Sequence, residues 1–596
     1  MKKQLIVLIL TIILGEEMIA QQITSAPYSI GTVKSFTEQF MKINVNTKTS
    51  KDVVPIAVGN NRSFDIEVNI NDKEEGNYKV IGAVKGYEHA TFAFYGNDKH
   101  IEGHIYFLKT KEAYNLITDK KGNVVITSTD ITKIIGWDEY EHDFSSEEPA
   151  PQRVYSSEEI IAAQKYMVIP QHESMPEAKG VLYLDFDGEV SKSEWNSGNT
   201  INAAALNWAT QNPQNITNAW KMVAEDYGPY QVNVTTIREK YDNAPKDQRM
   251  MCIYTTTKTA APQFGGVAYI GSFSDGKGNP CWAYFNQEFK GEAETGVHEF
   301  GHTVGLQHDG DSKTGQDYYL GHGQWGPIMG ASYGPTKRPI SQFSKGEYTG
   351  ATNTTQDDVQ TIPKYIKAGF KVDQHSNTIT GATRLKTNGA GVVKDSENIG
   401  IIEQRTDKDV FTFKTSGGDV KFEINPADDF LDHPDLDIQA RLLDSQGTEL
   451  ALSNPTGMNA VIEQKLAAGT YYIEIDGVGF GNPLNTGYSD YGSVGYFDIS
   501  GFFPELATDI QDKETAGSAD ILVFPSPTKD LVNIVFPSAE KNEVFIFNCW
   551  GEAVYQNNSV AGGWLAIDLQ EQANGVYFVK ARSGNQLLTK KVIIAK

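Results

Sequence analysis

One short stretch of the chain concentrates residues that can bind a metal ion. Segment 297–310 reads VHEFGHTVGLQHDG and holds three of the eleven histidines. His298 and His302 are four residues apart, so on a helix they lie on one face, one turn apart. Two imidazoles in that arrangement can share one tetrahedral zinc ion. His308, six residues further on, is the predicted third ligand.

The residues between these histidines supply the rest of the expected chemistry. Glu299 projects beside the ligands and can act as a general base toward a water molecule that the metal activates. Gly305 allows an open or left-handed backbone, so that the chain can leave the helix and bring His308 back to the metal. Three protein ligands leave one coordination position open, which distinguishes a catalytic zinc site from a closed structural one.

A chance HExxH on an exposed helix is the competing interpretation of this segment. The longer pattern specifies five positions, His, Glu, His, Gly and His, and chance would supply it in about 1 in 10⁵ chains of this length. The pattern therefore favours a zinc-dependent hydrolase.

The elements that must position these residues fall in the middle of the chain. Residues 178–372 mix helix and strand signals. Ile216, Trp220 and Val223 recur at helical spacing, and segment 231–236 reads as a strand.

The motif HEFGHTVGLQH resembles the extended zinc motif of the metzincin metalloproteases, and Asp309 makes it most similar to the adamalysin/reprolysin-like branch. The resemblance implies an α/β catalytic domain over 178–372, with a mixed twisted sheet and an active-site helix. It implies one catalytic zinc ion and protein or peptide substrates. It also implies a methionine turn beneath the zinc, for which GPIMGASYG (326–334) supplies Met329.

GGVAYIGS (265–272) resembles the edge strand of the same family. Main-chain groups of Gly266 and Ala268 would pair with an extended substrate by β-augmentation. An ordinary glycine-containing strand is the alternative interpretation.

The N-terminal part reads as an export signal followed by a β-rich region. MKK, an apolar run and a small residue at the end predict a signal peptide over 1–20, which is too short for a transmembrane helix. No later window is apolar enough to span a bilayer. Strand-like alternation over 21–177 predicts a β-rich pro-domain. This region has no cysteine, so latency through a cysteine on the zinc is excluded. An Asp, a histidine such as His172, or steric occlusion remains open.

The C-terminal part consists of short, alternating, turn-separated strands. Residues 377–505 resemble the pre-peptidase C-terminal domain, a β-sandwich, in which Asp407, Asp409 and Asp476 are predicted calcium ligands. Solvated turn carboxylates are the alternative. Residues 520–596 resemble the C-terminal sorting domain of type IX secretion, also a β-sandwich. That resemblance implies an interaction with the type IX secretion machinery and passage to the cell surface or the medium.

Composition limits the classes of partner. The 596 residues carry 52 Lys and Arg against 76 Asp and Glu, a formal net charge of −24 without any basic run, so nucleic acid is not an expected partner. Three cysteines exclude a disulfide-dense scaffold. Cys252 and Cys281 are either bridged or two buried thiols.

These patterns together predict a secreted zinc-dependent endopeptidase, made as a zymogen, that hydrolyses peptide bonds of extracellular proteins. A surface adhesin on an inactive protease scaffold and a non-proteolytic zinc hydrolase are the alternatives. The presence of Glu299 disfavours the adhesin, because a binding module needs no general base. The substrate-pairing strand disfavours the non-proteolytic hydrolase.

Overall fold

The computed structural model describes residues 26–45, 53–138, 153–284, 289–332, 338–427, 434–506, 521–536, 542–548, 550–560, 563–583 and 586–596. The predicted signal peptide lies outside this part of the chain. Among the described residues, no helix has the length and the apolar character needed to cross a membrane.

Strands dominate the molecule, with 43% of residues in strands and 16% in helices. The prediction of an α/β metzincin catalytic domain flanked by a β-rich pro-domain and two β-sandwiches is therefore wrong as a fold class. The chain forms several β-sheets, and no α/β metzincin fold is evident in the residues that the structure describes. The physical reason is that the helical pattern around the histidine motif extends over few residues, whereas alternating patterns typical of strands extend over most of the remaining chain.

An antiparallel sheet of eight strands forms the N-terminal unit. Its elements are β1 (Tyr28–Thr32), α1 (Val33–Phe40), β2 (Val53–Gly59), β3 (Arg62–Glu74), β4 (Asn77–Val84), β5 (Ala90–Asn97), β6 (Ile101–Phe107), β7 (Glu112–Thr118) and β8 (Asn123–Asp130). The strand order β1-β8-β7-β6-β5-β4-β3-β2 gives a nearly closed sheet. Phe36 and Phe40 of α1 pack against Phe92 and Phe94 of β5 inside it.

A six-stranded mixed sheet forms the centre of the molecule. The strands of this region are β9 (Ile135–Asp138), β10 (Gly180–Asp185), β11 (Glu189–Ser191), β12 (Ile201–Ala203), β13 (Val232–Thr235), β14 (Arg249–Tyr254), β15 (Gly266–Tyr269), β16 (Cys281–Ala283), β17 (Trp325–Pro327) and β18 (Ile340–Gln342). The sheet has the order β13-β10-β14-β16-β15-β9, in which β15 is antiparallel to both of its neighbours. The strand β9 thus belongs to the central sheet, although it falls within the predicted pro-domain. Cys252 and Cys281 are paired in register on β14 and β16 and are buried free thiols.

Helices cover this central sheet and complete its core. They are α2 (Ser157–Gln164), α3 (Asn207–Gln211), α4 (Pro213–Asp226), α5 (Arg238–Asn243), α6 (Phe289–Thr303) and α7 (Asp358–Tyr365). Ile216 and Val223 of α4 and Val297 and Phe300 of α6 share one buried core. Because α6 carries the histidine motif, this packing positions the site.

The N-terminal and central units also share a hydrophobic core. Tyr106 and Trp137 from the N-terminal side are buried together with Trp195 and Trp282. Ser197, whose positive φ of 55° turns the chain sharply, donates a hydrogen bond to the Ala90 carbonyl at 3.1 Å. The two units are therefore packed as one body rather than connected by a linker alone.

Two facing sheets enclose a separate core after the central unit. Their strands are β19 (Thr383–Arg384), β20 (Val392–Val393), β21 (Ile399–Ile402), β22 (Lys408–Thr415), β23 (Gly418–Pro426), β24 (Ile438–Leu443), β25 (Glu449–Ser453), β26 (Ala460–Leu466), β27 (Gly469–Gly477) and β28 (Gly495–Phe502). One sheet has the order β19-β22-β27-β24-β25, and the other has the order β20-β28-β23-β26, with β21 also paired to β28.

The C-terminal unit again consists of two small sheets around its own core. Its strands are β29 (Leu522–Phe524), β30 (Leu531–Val535), β31 (Asn542–Asn548), β32 (Ala553–Val560), β33 (Trp564–Asp568), β34 (Gly575–Ser583) and β35 (Gln586–Ile594). The sheets have the orders β29-β30-β33 and β32-β31-β34-β35.

Candidate metal centre

Three histidine rings converge at the end of α6. His298 and His302 lie one turn apart on the helix, and their ring centroids are 4.8 Å apart. Gly305 has a φ of +87°, which ends the helix and returns His308 to the other two rings. The Nε2 atoms of His302 and His308 are 3.1 Å apart, and one ligand nitrogen of each ring lies within 4.8 Å of the others.

Main-chain carbonyls orient the two helical rings. Nδ1 of His298 donates to the Ile328 carbonyl at 2.8 Å, and Nδ1 of His302 donates to the Leu306 carbonyl at 2.9 Å. A carbonyl oxygen can only accept, so each Nδ1 carries the proton and each Nε2 presents a lone pair. The lone pairs point into the space between the three rings.

Burial makes these imidazoles suitable metal ligands. It lowers the pKa of His298 to about 4 and holds the pKa of His302 and His308 well below the usual range, so all three are neutral near pH 7. Nε2 of His298 is buried without a hydrogen-bond partner. A cluster of buried neutral nitrogens with one orphaned lone pair fits a zinc ion.

Glu299 follows His298 on α6, and its carboxylate lies against Gly266 of β15. It is completely buried, and neither carboxylate oxygen has a hydrogen-bond partner. Burial raises the pKa of Glu299 well above its usual value, and the nearby charge of Asp138 raises it further. A Cβ atom at Gly266 would collide with the Glu299 carboxylate, so the glycine leaves room for this side chain.

Met329, the residue assigned to the methionine turn, packs against the helix α6. It is completely buried, and its sulfur packs so closely against Gly301 that a side chain there would collide with it. The Met329 carbonyl accepts a hydrogen bond from the Asp309 amide at 2.7 Å. This contact connects the turn to the residue that follows the third histidine.

The predicted substrate-binding strand already has a partner on its outer side. Gly266 of β15 is opposite Asp138 of β9, and Ala268 is opposite Gly136. The amide of Gly265 donates to the Asp138 carbonyl at 2.8 Å. The structure therefore places an extended segment of the chain itself along the edge that we assigned to substrate.

The strand β9 also contacts the histidines directly. Gly136 approaches His302 so closely that any Cβ there would overlap the ring. The Trp137 carbonyl accepts hydrogen bonds from the Tyr318 hydroxyl and from the imidazole of His308. Tyr318 packs on His308 with ring centroids 4.4 Å apart. The main chain of β9 thus helps to hold the third histidine.

Sequence reasoning did not identify these β9 residues or Tyr318. The segment IGWD (135–138) has no motif, and its contacts depend on pairing with residues about 130 positions later. Tyr318 lies between His308 and Met329 in the sequence. Its position between two predicted site residues was the signal that could have identified it.

The structure separates the three predicted calcium ligands. Asp407 and Asp409 cluster with Asp373, which the sequence did not suggest. Asp476 instead forms an ion pair with Lys408, with Nζ and Oδ2 at 2.6 Å.

Comparison with known proteins identifies the C-terminal unit. Residues 522–595 match the family of secretion system C-terminal sorting domains. This domain indicates export by type IX secretion across the outer membrane, with delivery to the cell surface. The sorting-domain prediction is confirmed. The comparison with curated proteins finds no match.

Several solved structures show weak likeness. The pre-peptidase C-terminal domain of a collagenase from Bacillus anthracis is 14% identical, with 22% of this chain and 99% of that chain covered and a TM-score of 0.15. A BSP domain of a biofilm associated protein is 16% identical, with 27% and 25% covered and a TM-score of 0.15. A beta-glucuronidase from an uncultured Clostridium sp. is 13% identical, with 31% and 34% covered and a TM-score of 0.14. Likeness at this level leaves the activity to be argued from the chain's own residues.

Proposed function

We propose that the protein is an exported zinc-dependent endopeptidase that folds in a latent form. The observation that carries this proposal is the convergence of three neutral imidazoles, two of them buried and that of His308 half-buried, beside a buried carboxylate without a hydrogen-bond partner. A binding protein has no use for a buried unpaired carboxylate, whose desolvation is costly.

His298, His302 and His308 would hold the zinc ion. Zinc supplies Lewis acidity, which makes a water molecule nucleophilic near neutral pH. Glu299 takes the proton of the attacking water on its carboxylate and then passes this proton to the amine that leaves. The raised pKa of Glu299 suits this role, because the group must bind a proton in one step and release it in the next.

The strand β15 supports a peptide substrate. Its pairing with β9 shows that main-chain groups of Gly266 and Ala268 accept an extended antiparallel segment beside the histidines. A substrate chain bound in the same way would place a peptide bond close to Glu299. This feature favours a peptidase over a zinc hydrolase that acts on small molecules.

The same pairing supports synthesis as a zymogen. The strand β9 precedes the other strands of the central sheet in sequence and covers the edge that a substrate needs. Of the three latency mechanisms left open by the sequence, steric occlusion is the one these contacts favour. His172 stacks on Trp220 and donates to or accepts from Thr217, away from the three histidines.

A casein assay on the full chain, before and after limited proteolysis, tests the proposal. We expect processing to release activity, and Glu299→Gln to lower the activity of the processed protein about 10³-fold while bound zinc stays unchanged. Glu294→Gln on the same helix is the matched control, because the Glu294 carboxylate accepts hydrogen bonds from the hydroxyls of Ser332 and Ser341.

Two outcomes would contradict the proposal. Equal activity of wild type and Glu299→Gln would remove Glu299 from the mechanism. Inactive wild type, with zinc bound and the N-terminal unit removed, would favour the surface adhesin.

A further inference from the structure

The strand β9 shows how an extended chain lies along β15. The two strands are antiparallel, and their paired residues are Gly266 with Asp138, Val267 with Trp137, Ala268 with Gly136 and Tyr269 with Ile135. Main-chain hydrogen bonds continue at both ends of this pairing. The Gly265 amide donates to the Asp138 carbonyl at 2.8 Å, and the Ile270 amide donates to the Ile134 carbonyl at 3.0 Å. The strand β9 therefore marks the path that a substrate chain would follow beside the histidines.

Side chains of β9 alternate between the two faces of the central sheet. A Cβ atom at Gly136 would overlap the His302 ring, so this position faces the histidines and leaves no room for a side chain. Trp137 therefore points to the opposite face. Its indole is only 3% exposed, although β9 is the last strand of the sheet. Surrounding groups thus enclose the indole even at the edge of the sheet.

The central unit supplies one wall of the pocket around Trp137. The centroid of the Phe264 ring lies 5.7 Å from that of the indole, and the His308 ring lies 6.4 Å away at an angle of 84°. Val267, which pairs with Trp137, is completely buried. The N-terminal unit supplies Lys111, whose Nζ lies 5.1 Å from the indole centroid. Removal of the N-terminal unit and β9 would leave a hollow lined by Phe264, Val267 and His308.

The main chain of Trp137 is held at the same place. Its carbonyl accepts hydrogen bonds from the Tyr318 hydroxyl and from the imidazole of His308. Tyr318 is buried and packs on the His308 ring. One residue of the bound strand thus has its side chain in the hollow and its carbonyl fixed by two donors. In peptide recognition of this kind, main-chain hydrogen bonds give affinity and side-chain pockets give specificity.

We propose that the hollow beside Phe264 is an aromatic side-chain subsite, and that preferred substrates carry glycine followed by an aromatic residue, as Gly136 and Trp137 do. This inference rests on the proposed function. An aromatic side chain suits the hollow because it buries about 150–250 Å² and gains further from ring contact with Phe264. A charged side chain would lose its hydration there without a partner. Glycine suits the preceding position because a Cβ atom would overlap His302.

Peptide binding to an inactive variant tests the subsite without any need for catalysis. The protein is the full chain with Glu299→Gln, loaded with zinc, from which limited proteolysis has removed the N-terminal unit and β9. The probe is a fluorescently labelled peptide of residues 133–138, KIIGWD. We expect saturable binding of this peptide, and at least about 10-fold weaker binding of the Trp137→Ala peptide. The Lys133→Ala peptide is the matched control, because Lys133 is exposed, and its affinity should be unchanged.

Two further proteins locate the binding to this hollow. Phe264→Ala, in the same inactive protein, should reduce the difference in affinity between the KIIGWD and Trp137→Ala peptides to less than about 3-fold, because the ring that the indole contacts is gone. Bound zinc and the melting temperature verify that this variant folds. The unprocessed chain should bind neither peptide, because β9 occupies the edge of β15.

Three results would overturn the subsite. They are no saturable binding of KIIGWD up to about 1 mM, equal affinity for KIIGWD and the Trp137→Ala peptide, and an unchanged difference between the two peptides in Phe264→Ala. Failure of the proposed function gives a different result. In that case the difference between the peptides persists, while processed wild type cleaves neither KIIGWD nor casein.

Discussion

The molecule contains two clusters of side chains that could bind a metal ion, and the two clusters arise from different parts of the folding pattern. The nitrogen cluster, His298, His302 and His308, comes from eleven consecutive residues of one helix and the turn after it. The oxygen cluster around Asp409 comes from two segments on either side of a junction between units. A local cluster depends on helical geometry, whereas an assembled one depends on how the units pack.

The two clusters also differ in their charge and in how far other parts of the chain shield them from solvent. The histidines are neutral, and β9 lies across them. The oxygen cluster is anionic, and its member Asp373 is exposed to solvent. Neutral nitrogens with an adjacent base suit a catalytic metal, and crowded carboxylates suit a structural cation.

The largest expected effect tests the nitrogen cluster. His302→Ala should abolish stoichiometric zinc binding and lower proteolysis about 10³-fold or more, because it removes one of three ligands. Metal analysis and the casein assay measure both effects. Stoichiometric zinc in His302→Ala would show that His302 is not a ligand.

A smaller effect is expected from a change in β9, the strand that covers the nitrogen cluster. Gly136→Val places a branched side chain where a Cβ already overlaps His302, so β9 should no longer pair fully with β15. We expect proteolysis by the unprocessed chain to rise at least 10-fold. Ser128→Val in β8 is the control, because it introduces the same side chain away from the histidines. Unchanged activity of the unprocessed Gly136→Val chain would argue against occlusion by β9.

The smallest effect concerns a contact between the N-terminal unit and the central unit, which helps to hold β9 over the histidines. Glu194 of the central unit is completely buried and lies 2.7 Å from Nε2 of His104 in the N-terminal unit. Burial opposes ionisation, but the charge of His104 and its hydrogen bond lower the pKa of Glu194 from 4.5 to about 2. Stability from this group is thus fully present above pH 4.5 and is lost as the pH falls toward 2.

Comparison of wild type with Glu194→Gln measures this contribution. We expect the substitution to lower the free energy of unfolding by about 1 kcal/mol near pH 6, with the difference shrinking between pH 4.5 and 2. Chemical denaturation of both proteins at several pH values gives the difference in their free energies of unfolding and the change of this difference with pH. A constant difference across this range would show that ionisation of Glu194 does not stabilise the contact between the two units.

Different parts of the molecule were predictable to different degrees. The sorting domain was predicted from its motifs and is confirmed, and the strand-rich character of both ends follows from the alternation of apolar residues. The α/β fold class assigned around the motif was wrong, because a local helix says little about the sheets into which the surrounding chain folds. Asp476 was grouped with Asp407 by its residue type, but the structure pairs it with Lys408.

The sequence alone determined that His298, Glu299 and His302 share one helical turn and that Gly305 can return the chain to them, because these relations depend only on spacing and backbone freedom. Tertiary structure decided that β9 covers β15 and that Asp373 meets Asp409. Both are contacts between segments far apart in the chain, set by strand register and by the packing of whole units rather than by neighbouring residues.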